Sequence, residues 1–467
     1  MTDALSDPFT PRRERLAAAL RAAGGGVAVL ATAPERPRNA DSDHPFRHGS
    51  AFHYLTGFDE PQATLVLDAG GRSTLFCRPA DAEREIWDGR RLGVDAAAQA
   101  LGVDEAFDAA ALGERLPALL ADRTAVWLPF DAPDGVEQAA VWAALAALRA
   151  RRRSGVGGPT ALRDLNVLVD EMRLVKDESE QRTMRRAGVI SAGAHRRAMR
   201  FCAARFRADP DGGVREYEIE AELLHEFRRH GAQAPAYPSI VAAGANACVL
   251  HHPAGDTPLK AGELCLIDAG CELDGYASDI TRTFPADGRF RAEQRALYEV
   301  VAAAQRAAID ATRPGARKQD GHWAAVCTIA AGLLDCGLLD RAVHGDADAV
   351  VASGAYRAFY MHGTGHWLGR DVHDAGEYLA LDEDPVEQPG DAGGTVLRQP
   401  SRVLRPGMVL TVEPGLYVRP GPGVPERFWH IGIRIEDDAL VTAGGCELLS
   451  RGVPAGADEI EALMREG

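Results

Sequence analysis

Four acidic side chains lie within or at the end of apolar, strand-like runs in the second half of the chain, and this pattern constrains the fold more than any other. They are Asp268, Asp279, Glu413 and Glu436. A carboxylate buried without a partner is strongly disfavoured, because burial removes its hydration. A fold that buries these runs must therefore place positive charge beside the acids.

Asp268 and Asp279 flank a predicted β-hairpin in the sequence IDAGCELDGYASDITRTF. If the turn is centred just before Asp274, the two aspartates face each other across the ladder, about 5 Å apart at Cβ. If Asp274-Gly275 is itself a two-residue loop, Thr281 faces Asp268 and Asp279 becomes its diagonal neighbour. Both registers put the aspartates on one face, where like charges are destabilising and a cation between them is expected. The alternative interpretation is a solvated acidic edge of the hairpin.

Glu413 and Glu436 end two further apolar runs. Glu413 precedes Pro414-Gly415, which stops the strand and leaves room beside the carboxylate. In the run 431–436 isoleucines alternate with other residues, so Arg434 and Glu436 share one face. An ordinary ion pair between these two side chains is the alternative to a binding site.

Three histidines, His362, His366 and His373, lie close together in the sequence MHGTGHWLGRDVHD. The spacing of the first two is that of a helical i, i+4 pair, but the intervening glycines favour a loop. A core histidine bonded to backbone is the ordinary interpretation of any one of them. Three histidines in one short segment indicate a site instead.

These motifs resemble those of Xaa-Pro aminopeptidase, the aminopeptidase P branch of the pita-bread metallopeptidases, which also includes prolidase and methionine aminopeptidase. The resemblance runs from about residue 11 to the C-terminus. It is carried by RNADSDHPFRHGSAFHYLTGFDEP, EIWDGRRLG, LIDAGCELDGYASDITRTF, MHGTGHWLGRDVHDAG, LRPGMVLTVEPGLY and IGIRIEDD. It implies an α/β N-terminal domain plus an α+β C-terminal domain of pita-bread (creatinase/aminopeptidase) type, with a curved antiparallel sheet covered by helices.

The resemblance implies a dinuclear metal site whose ligands are Asp268, Asp279, His366, Glu413 and Glu436, with Asp279 and Glu436 bridging. Charge arithmetic supports this set, because four carboxylates and one neutral imidazole carry four negative charges, which two divalent cations cancel. Without metal, several carboxylates should take up protons. Oxygen-rich donors with one imidazole suit Mn²⁺, the metal the family implies, while Zn²⁺ or Co²⁺ can displace it in vitro.

The activity implied is release of the N-terminal residue from peptides with proline second. A hydroxide bridging the two metals would attack the Xaa-Pro carbonyl, and Glu413 would carry the proton to the leaving nitrogen. His251 would hydrogen-bond the developing oxyanion, and His362 and His373 would line the cleft and steady the tetrahedral species. Arg434 would orient the carboxylates.

Further residues follow from the resemblance. Tyr237 would bind substrate, and Thr281 would bond to a ligand aspartate. In the first domain, Asp41 would approach a neighbouring subunit's active site, with Trp87 similarly placed, in a homodimer or homotetramer. The alternatives are a turn residue for Asp41 and a core aromatic for Trp87.

The sequence departs from the family pattern in two places. Trp429 and His430 replace a small residue ahead of IGIRIED. The segment 380–402, rich in Pro, Gly and acid, is predicted to be an inserted surface loop that borders the cleft. Two other functions remain open: a prolidase, which cleaves only dipeptides, and a non-catalytic pita-bread binding module.

Two domains are predicted, 1–175 and 176–467. Strands are expected at 27–31, 63–67, 74–77 and 125–128 and a helix at 139–149, after which RRRSGVGGPT is a loop or linker. The second domain opens at Asp177, whose D-x-x-E spacing to Glu180 caps a long helix. Helices are also expected at 219–229, 290–311 and 319–338.

Composition bears on partners and compartment. The formal net charge of −16 disfavours nucleic acid and anionic membranes, and no apolar run approaches the roughly 18 residues that span a bilayer. The opening MTDALSDPF does not have the pattern of a secretory signal. Eight cysteines without CxxC pairing, mostly in apolar surroundings, predict reduced core residues and a cytoplasmic protein.

Overall fold

The structure, a computed structural model, describes residues 7–131, 136–210, 213–389 and 395–466. The chain divides into two compact units, Met1–Arg173 and Leu174–Gly467, close to the predicted boundary at 175. The opening residues 1–6, part of the segment predicted not to be a secretory signal, lie outside the described residues. Among the residues described, no helix is both long and apolar enough to cross a membrane.

The first unit alternates strands and helices. Its strands are β1 (Val27–Ala31), β2 (Pro37–Asn39), β3 (Ser42–Asp43), β4 (Thr64–Asp68), β5 (Ser73–Cys77), β6 (Glu105–Asp108), β7 (Ala125–Leu128) and β8 (Ala161–Asp164). Its helices are α1 (Phe9–Ala22), α2 (Ser50–Thr56), α3 (Ala82–Asp88), α4 (Gly93–Leu101), α5 (Leu112–Leu120), α6 (Val136–Ala150) and α7 (Asn166–Leu174).

Six of these strands form a mixed sheet in the order β6-β5-β4-β1-β7-β8. Successive residues of β1 enter different cores, because side chains of a strand alternate between faces: Ala28 and Leu30 pack on one side, Val27 and Val29 on the other. Helices therefore cover both faces of the sheet. The segment 151–160 joins α6 to β8 inside this unit, so it is a loop and not the connection between the units.

The second unit contains the long helices and a set of short strands. Its helices are α8 (Glu178–Ala208), α9 (Glu216–Arg229), α10 (Ala292–Ala311), α11 (Lys318–Asp335), α12 (Arg341–His344), α13 (Ala347–Ser353) and α14 (Ala457–Arg465). Its strands are β9 (Val214–Arg215), β10 (Ala234–Pro235), β11 (Ile240–Ala243), β12 (Pro258–Leu259), β13 (Leu264–Asp268), β14 (Cys271–Leu273), β15 (Tyr276–Ala277), β16 (Thr281–Pro285), β17 (Val386–Pro389), β18 (Thr395–Arg398), β19 (Val409–Val412), β20 (Gly415–Val418), β21 (Ile431–Arg434), β22 (Asp437–Thr442) and β23 (Gly445–Leu448).

Helix α8 begins as its sequence predicts. The Asp177 side chain accepts hydrogen bonds from the backbone of residues 179 and 180, and the Glu180 carboxylate accepts from the Asp177 backbone, which completes a capping box. In α9 the predicted face of Ile219, Leu223 and Phe227 is buried. These helices pack with α10 and α11 against the strands in one apolar core.

All the strand pairs described in this unit are antiparallel. Asp274 and Gly275, with φ of 50° and 75°, form the two-residue loop between β14 and β15. Asp268 therefore pairs with Thr281 across β13 and β16, which is the second of the two predicted registers. This register brings Thr281 to the aspartate face.

The prediction of a loop at 380–402 is wrong in part. Strands β17 and β18 pair with each other and form a hairpin, most of whose described residues are exposed, while residues 390–394 lie outside the described part. In a segment rich in Pro and Gly, strands as short as these cannot be recognised from the sequence pattern. The prediction of core cysteines is also incomplete, since Cys327 is exposed.

Candidate metal centre

The two aspartates converge on one hydroxyl. Asp268 ends β13, and Asp279 lies two residues after β15. The Tyr237 hydroxyl oxygen lies 2.5 Å from Asp268 Oδ1 and also hydrogen-bonds to Asp279 Oδ1. A phenol has one proton and can donate to only one of these oxygens at a time. Two carboxylates therefore crowd a single position, where a cation would be more stabilising than a hydroxyl.

A fully buried threonine joins the other side of the centre. Thr281 Oγ1 donates to Glu436 Oε2 at 2.6 Å and accepts from Arg434 Nε at 3.1 Å. The Arg434 guanidinium forms its ion pair with Asp268 Oδ2, at 2.6 Å. The sequence also suggested a direct ion pair between Arg434 and Glu436. In the structure these two side chains are instead connected through the Thr281 hydroxyl. The expectation that Thr281 bonds to an aspartate is corrected, because its hydroxyl donates to the glutamate.

His366 lies in a loop, as the neighbouring glycines predict. Its Nδ1 donates to the Trp367 carbonyl at 3.0 Å, so a neutral ring presents an unprotonated Nε2. That Nε2 lies 3.5 Å from Asp279 Oδ2 and 3.8 Å from Glu413 Oε1. A Cβ on Gly365 would lie 1.9 Å from the backbone carbonyl of β19, so only glycine allows this approach.

Ligand atoms from three of the predicted side chains gather most closely. Asp279, His366 and Glu436 each offer one donor atom, and all three atoms lie within 4.8 Å of one another. With Tyr237 joining Asp268 to Asp279, and with Glu413 near His366, the fold brings all five predicted ligands to one place. These donors are carboxylate oxygens and one imidazole nitrogen, which suit a hard divalent cation.

Three of the acids, Asp279, Glu413 and Glu436, hold protons more tightly than free carboxyls. Burial and the neighbouring negative charges raise the pKa of Glu413 to about 7 and raise the pKa values of Asp279 and Glu436. Burial lowers the pKa of His366, but its hydrogen bond to Asp279 and the nearby carboxylates outweigh this and raise the pKa to about 9. Protons held by these side chains thus supply the positive charge that bound cations would provide. The donor set therefore fits divalent metal ions.

A cavity of about 640 Å³ opens on this cluster, a size typical of small-molecule sites. Its lining includes Tyr237, His251, Asp268, Asp279, His362, His366, His373, Glu413, Arg434 and Glu436. The predicted catalytic and ligand residues of the second unit therefore share one space. The apolar part of the wall consists of Pro238, Ile240, Leu250, Pro253 and Val372.

His362 and His373 contact the cluster in different ways. His362 Nε2 accepts from the Tyr417 hydroxyl at 2.9 Å, and its Nδ1 lies 3.8 Å from Glu413 Oε2. Burial and the Arg434 charge lower the pKa of His362 to about 4, so its ring is neutral at pH 7. The ring of His373 lies 4.1 Å from that of His366.

Tyr417 is a member of this network that the sequence did not identify. Its hydroxyl also accepts from Arg434 Nη1 at 3.0 Å, so it connects the arginine to His362. The only available signal was its position in the sequence TVEPGLY, two residues after Gly415 on β20.

A second cavity contains His362 together with Gln388 and Arg398 of the β17–β18 hairpin. The hairpin thus lines a cavity together with His362, in agreement with the prediction that the segment 380–402 borders the cleft.

Asp41 and Trp87 belong to the first unit and are not among the residues that the second unit gathers. Asp41 lies in the turn between β2 and β3, which agrees with its alternative interpretation as a turn residue. Trp87 lies on α3 and is 84% exposed, so the alternative of a core aromatic is wrong.

An acidic cluster with one imidazole, at a cavity in an antiparallel sheet covered by helices, defines a metal-dependent hydrolase. Residues 182–443 match metallopeptidase family M24, and residues 9–127 match the N-terminal domain of aminopeptidase P. The chain belongs to metallopeptidase family M24. The predicted family resemblance and enzyme class are confirmed, and membership implies a divalent metal cofactor.

Known relatives cover the whole chain. It is 41% identical to the Xaa-Pro aminopeptidase of Escherichia coli over 99% of both chains. It superposes on the aminopeptidase PepP of Pseudomonas aeruginosa with a TM-score of 0.87 and 44% identity over 98% of both chains. The structure of E. coli aminopeptidase P with the inhibitor Pro-Leu matches with a TM-score of 0.88 and 40% identity over 99% of both chains. The predicted fold class is therefore confirmed.

Proposed function

We propose that the protein is an Xaa-Pro aminopeptidase that releases the N-terminal residue from peptides with proline at the second position. One observation carries the proposal: the four acids and the imidazole expected of such an enzyme surround one cavity, with the predicted histidines in its wall. The relatives named above support the same substrate class. Proline is an apolar ring, and the apolar wall of the cavity offers it a matching surface.

Asp268, Asp279, His366, Glu413 and Glu436 would hold two divalent metal ions, with Asp279 and Glu436 shared between them. Such ions, when bound, acidify water and polarise the peptide carbonyl. The oxygen-rich donor set favours Mn²⁺ over metals that prefer nitrogen or sulfur. Support comes from the pKa values of Asp279, Glu413 and Glu436, which burial and the neighbouring carboxylates raise although Arg434 lies in the same pocket.

Glu413 transfers a proton from the attacking water to the leaving nitrogen. Its carboxyl lies in the cavity wall, and a pKa of about 7 allows it both to accept and to return a proton near neutral pH. It takes the proton from the attacking water and passes it to the proline nitrogen as the peptide bond breaks. Glu413→Gln keeps the size of the side chain and removes this capacity.

The histidines stabilise the reacting groups, and Arg434 orients the carboxylates. His251 lines the cavity and donates to the carbonyl oxygen as negative charge develops there. His362, neutral and held by the Tyr417 hydroxyl, lies beside Glu413, while the ring of His373 packs against that of His366 at a tilt of 44° and limits its orientation. Arg434 holds Asp268 directly and Glu436 through the intervening threonine.

Tyr237 serves substrate binding. Its hydroxyl now occupies the position between the two aspartates, so cation binding there requires the phenol to give up at least one of these hydrogen bonds. The released hydroxyl then faces the cavity that Tyr237 lines.

The remaining parts of the proposal concern assembly and compartment. Asp41 and Trp87, both in the first unit, would reach the active site of a neighbouring subunit in a homodimer or homotetramer. Exposure of 84% leaves Trp87 accessible for such a contact. Eight free cysteines agree with a reducing, cytoplasmic setting.

The test is hydrolysis of three peptides by manganese-loaded protein: Ala-Pro-Ala, Ala-Pro and Ala-Ala-Ala. An aminopeptidase of this kind cleaves Ala-Pro-Ala at its first bond and is far slower on Ala-Ala-Ala. Cleavage of the dipeptide alone would make the protein a prolidase. Failure on every peptide would favour a binding module. In the same assay Glu413→Gln should lower kcat by about 10²- to 10⁴-fold.

A further inference from the structure

A fully buried carboxylate, Glu216, lies outside the metal centre at the start of α9. Each of its oxygens accepts two hydrogen bonds. Oε1 accepts from the Ala243 backbone and the Asn246 side-chain amide, both at 2.9 Å, and Oε2 accepts from His252 Nε2 at 2.9 Å and the Gly255 backbone at 3.0 Å. These bonds fill the acceptor capacity of a carboxylate. We call Glu216 and its four donors the Glu216 network.

The four donors lie towards the two ends of one segment of the chain, residues 243–255. His251 lies between them, and Leu250, His251 and Pro253 all line the cavity of the metal centre. Among the residues that the structure describes, none hydrogen-bonds to the His251 ring. The position of this ring therefore depends on the backbone that carries it, and the Glu216 network holds that backbone on both sides.

The start of α9 is a firm attachment for this segment. The Glu216 backbone N–H donates to the Thr257 carbonyl at 3.2 Å, and the Tyr217 N–H donates to the Gly255 carbonyl at 3.0 Å. The apolar face of α9 is buried in the core of the second unit. The segment that carries His251 is thus tied to a packed helix through backbone and side-chain hydrogen bonds.

We propose that Glu216 and His252 are positioning residues for peptide hydrolysis: they fix the segment that presents His251 to the scissile carbonyl. This inference rests on the proposed function, in which His251 donates to the carbonyl oxygen as negative charge develops. A carboxylate only accepts hydrogen bonds, so the proton between Glu216 and His252 comes from the imidazole. The His252 side chain is 20% exposed, so replacing it does not empty the core.

The first test replaces the donor. His252→Leu should lower kcat for Ala-Pro-Ala by about 10- to 100-fold, because a misplacement of about 1 Å can cost a factor of that size. KM and bound manganese should stay unchanged, since the contact of His251 strengthens only in the transition state. His252→Gln keeps an N–H donor and should restore most of kcat.

The matched control is His230→Leu. His230 Nε2 lies 2.9 Å from Glu226 Oε1 in a similar pair, but its side chain is 49% exposed and it is not part of the cavity wall. This variant should keep the kcat of the unmodified protein. If His252→Leu also kept it, the proposal would be overturned.

A double-mutant cycle separates positioning from general damage. If His252 acts through His251, His252→Leu should cause no further fall in kcat once His251 is alanine, because the two changes remove one shared effect. An equal fall in both backgrounds would show that His252 supports the fold and not His251.

Hydrogen–deuterium exchange tests the Glu216 network without substrate. Glu216→Gln puts an amide NH₂ in place of one carboxylate oxygen, so either the Ala243 or the Gly255 backbone N–H loses its acceptor. That N–H should exchange about tenfold faster or more, as expected for loss of a hydrogen bond to a charged group. Unchanged exchange at both positions would overturn the inference. Faster exchange in a protein that cleaves no peptide would instead refute the proposed function and leave the network intact.

Discussion

Replacing Thr281 with valine removes one oxygen from the candidate centre while keeping the shape of the side chain. That oxygen donates to Glu436 Oε2 at 2.6 Å and accepts from Arg434 Nε at 3.1 Å. Thr281 is fully buried, so no bulk water replaces the lost contacts. Glu436 then loses the hydrogen bond that orients it, and the arginine loses its connection to the glutamate.

The expected effect follows from the charge of both partners. A hydrogen bond to a charged group contributes about 1.5–3 kcal/mol, and partners that orient a metal ligand typically change metal affinity by about 10- to 100-fold. We expect Thr281→Val to weaken Mn²⁺ binding within that range and to lower kcat/KM for Ala-Pro-Ala at limiting metal. Thr281→Ser keeps the hydroxyl and should stay near the unmodified protein.

The assay is Mn²⁺ affinity by chelator competition, with Thr283→Val as the matched control. Thr283 is also fully buried on β16, but its hydroxyl contacts only the backbone of Arg434, at 3.1 and 3.2 Å. Its loss should lower stability and leave metal affinity nearly unchanged. If Thr281→Val and Thr281→Ser bind metal equally well, or if Thr283→Val weakens binding as much, the role assigned to this hydroxyl is wrong.

Four further outcomes are expected. Asp268→Asn should abolish peptide hydrolysis and lower bound metal while circular dichroism stays native; normal turnover with full metal would contradict the assignment. His251→Ala should lower kcat by about 10²-fold or more with unchanged metal content, and metal loss would instead place it among the ligands. Arg398→Ala should raise KM for pentapeptides more than for tripeptides, since Arg398 shares a cavity with His362; equal effects on both would exclude this subsite. Because the pKa of Glu413 is raised to about 7, the metal-free protein should lose stability as pH rises from about 4.5 to about 7. Over that window metal affinity should rise and metal binding should release protons, measured by calorimetry in two buffers; pH-independent binding would refute this.

Much of the fold could be predicted because the strands of the first unit are short apolar runs with clear ends. The run 27–31 is a strand over the predicted residues, and its alternate side chains enter two cores. The helix cap at Asp177 could also be predicted from the sequence, since it depends on residues only three positions apart. Local signals of this kind need no knowledge of the tertiary structure.

The hairpin register needed the structure. Both candidate turns satisfy the hydrophobic pattern, and positive φ at Asp274 and Gly275 decides between them. That choice puts Thr281 opposite Asp268 and explains why the threonine reaches Glu436. The proposed ligand residues were identified from their motifs, but the contacts between them come from strands distant in sequence.

Other features depend on tertiary contacts that no short pattern encodes. The β17–β18 hairpin has a composition typical of loops, and the exposure of Trp87 has no signal in the surrounding α3 sequence. His48 and His53 both contact the Asp59 carboxylate, at 3.2 and 2.7 Å, only because the chain turns after α2. Spacing alone would not have distinguished these histidines from ordinary surface residues.

The most direct measurement of the central claim is the number of manganese ions per chain, counted on the same protein whose peptidase activity is assayed. Full peptidase activity should require two ions per chain, and the Asp279→Asn protein should bind fewer and be inactive. Full activity with one ion or none would contradict the claim that these acids are held together by a pair of cations.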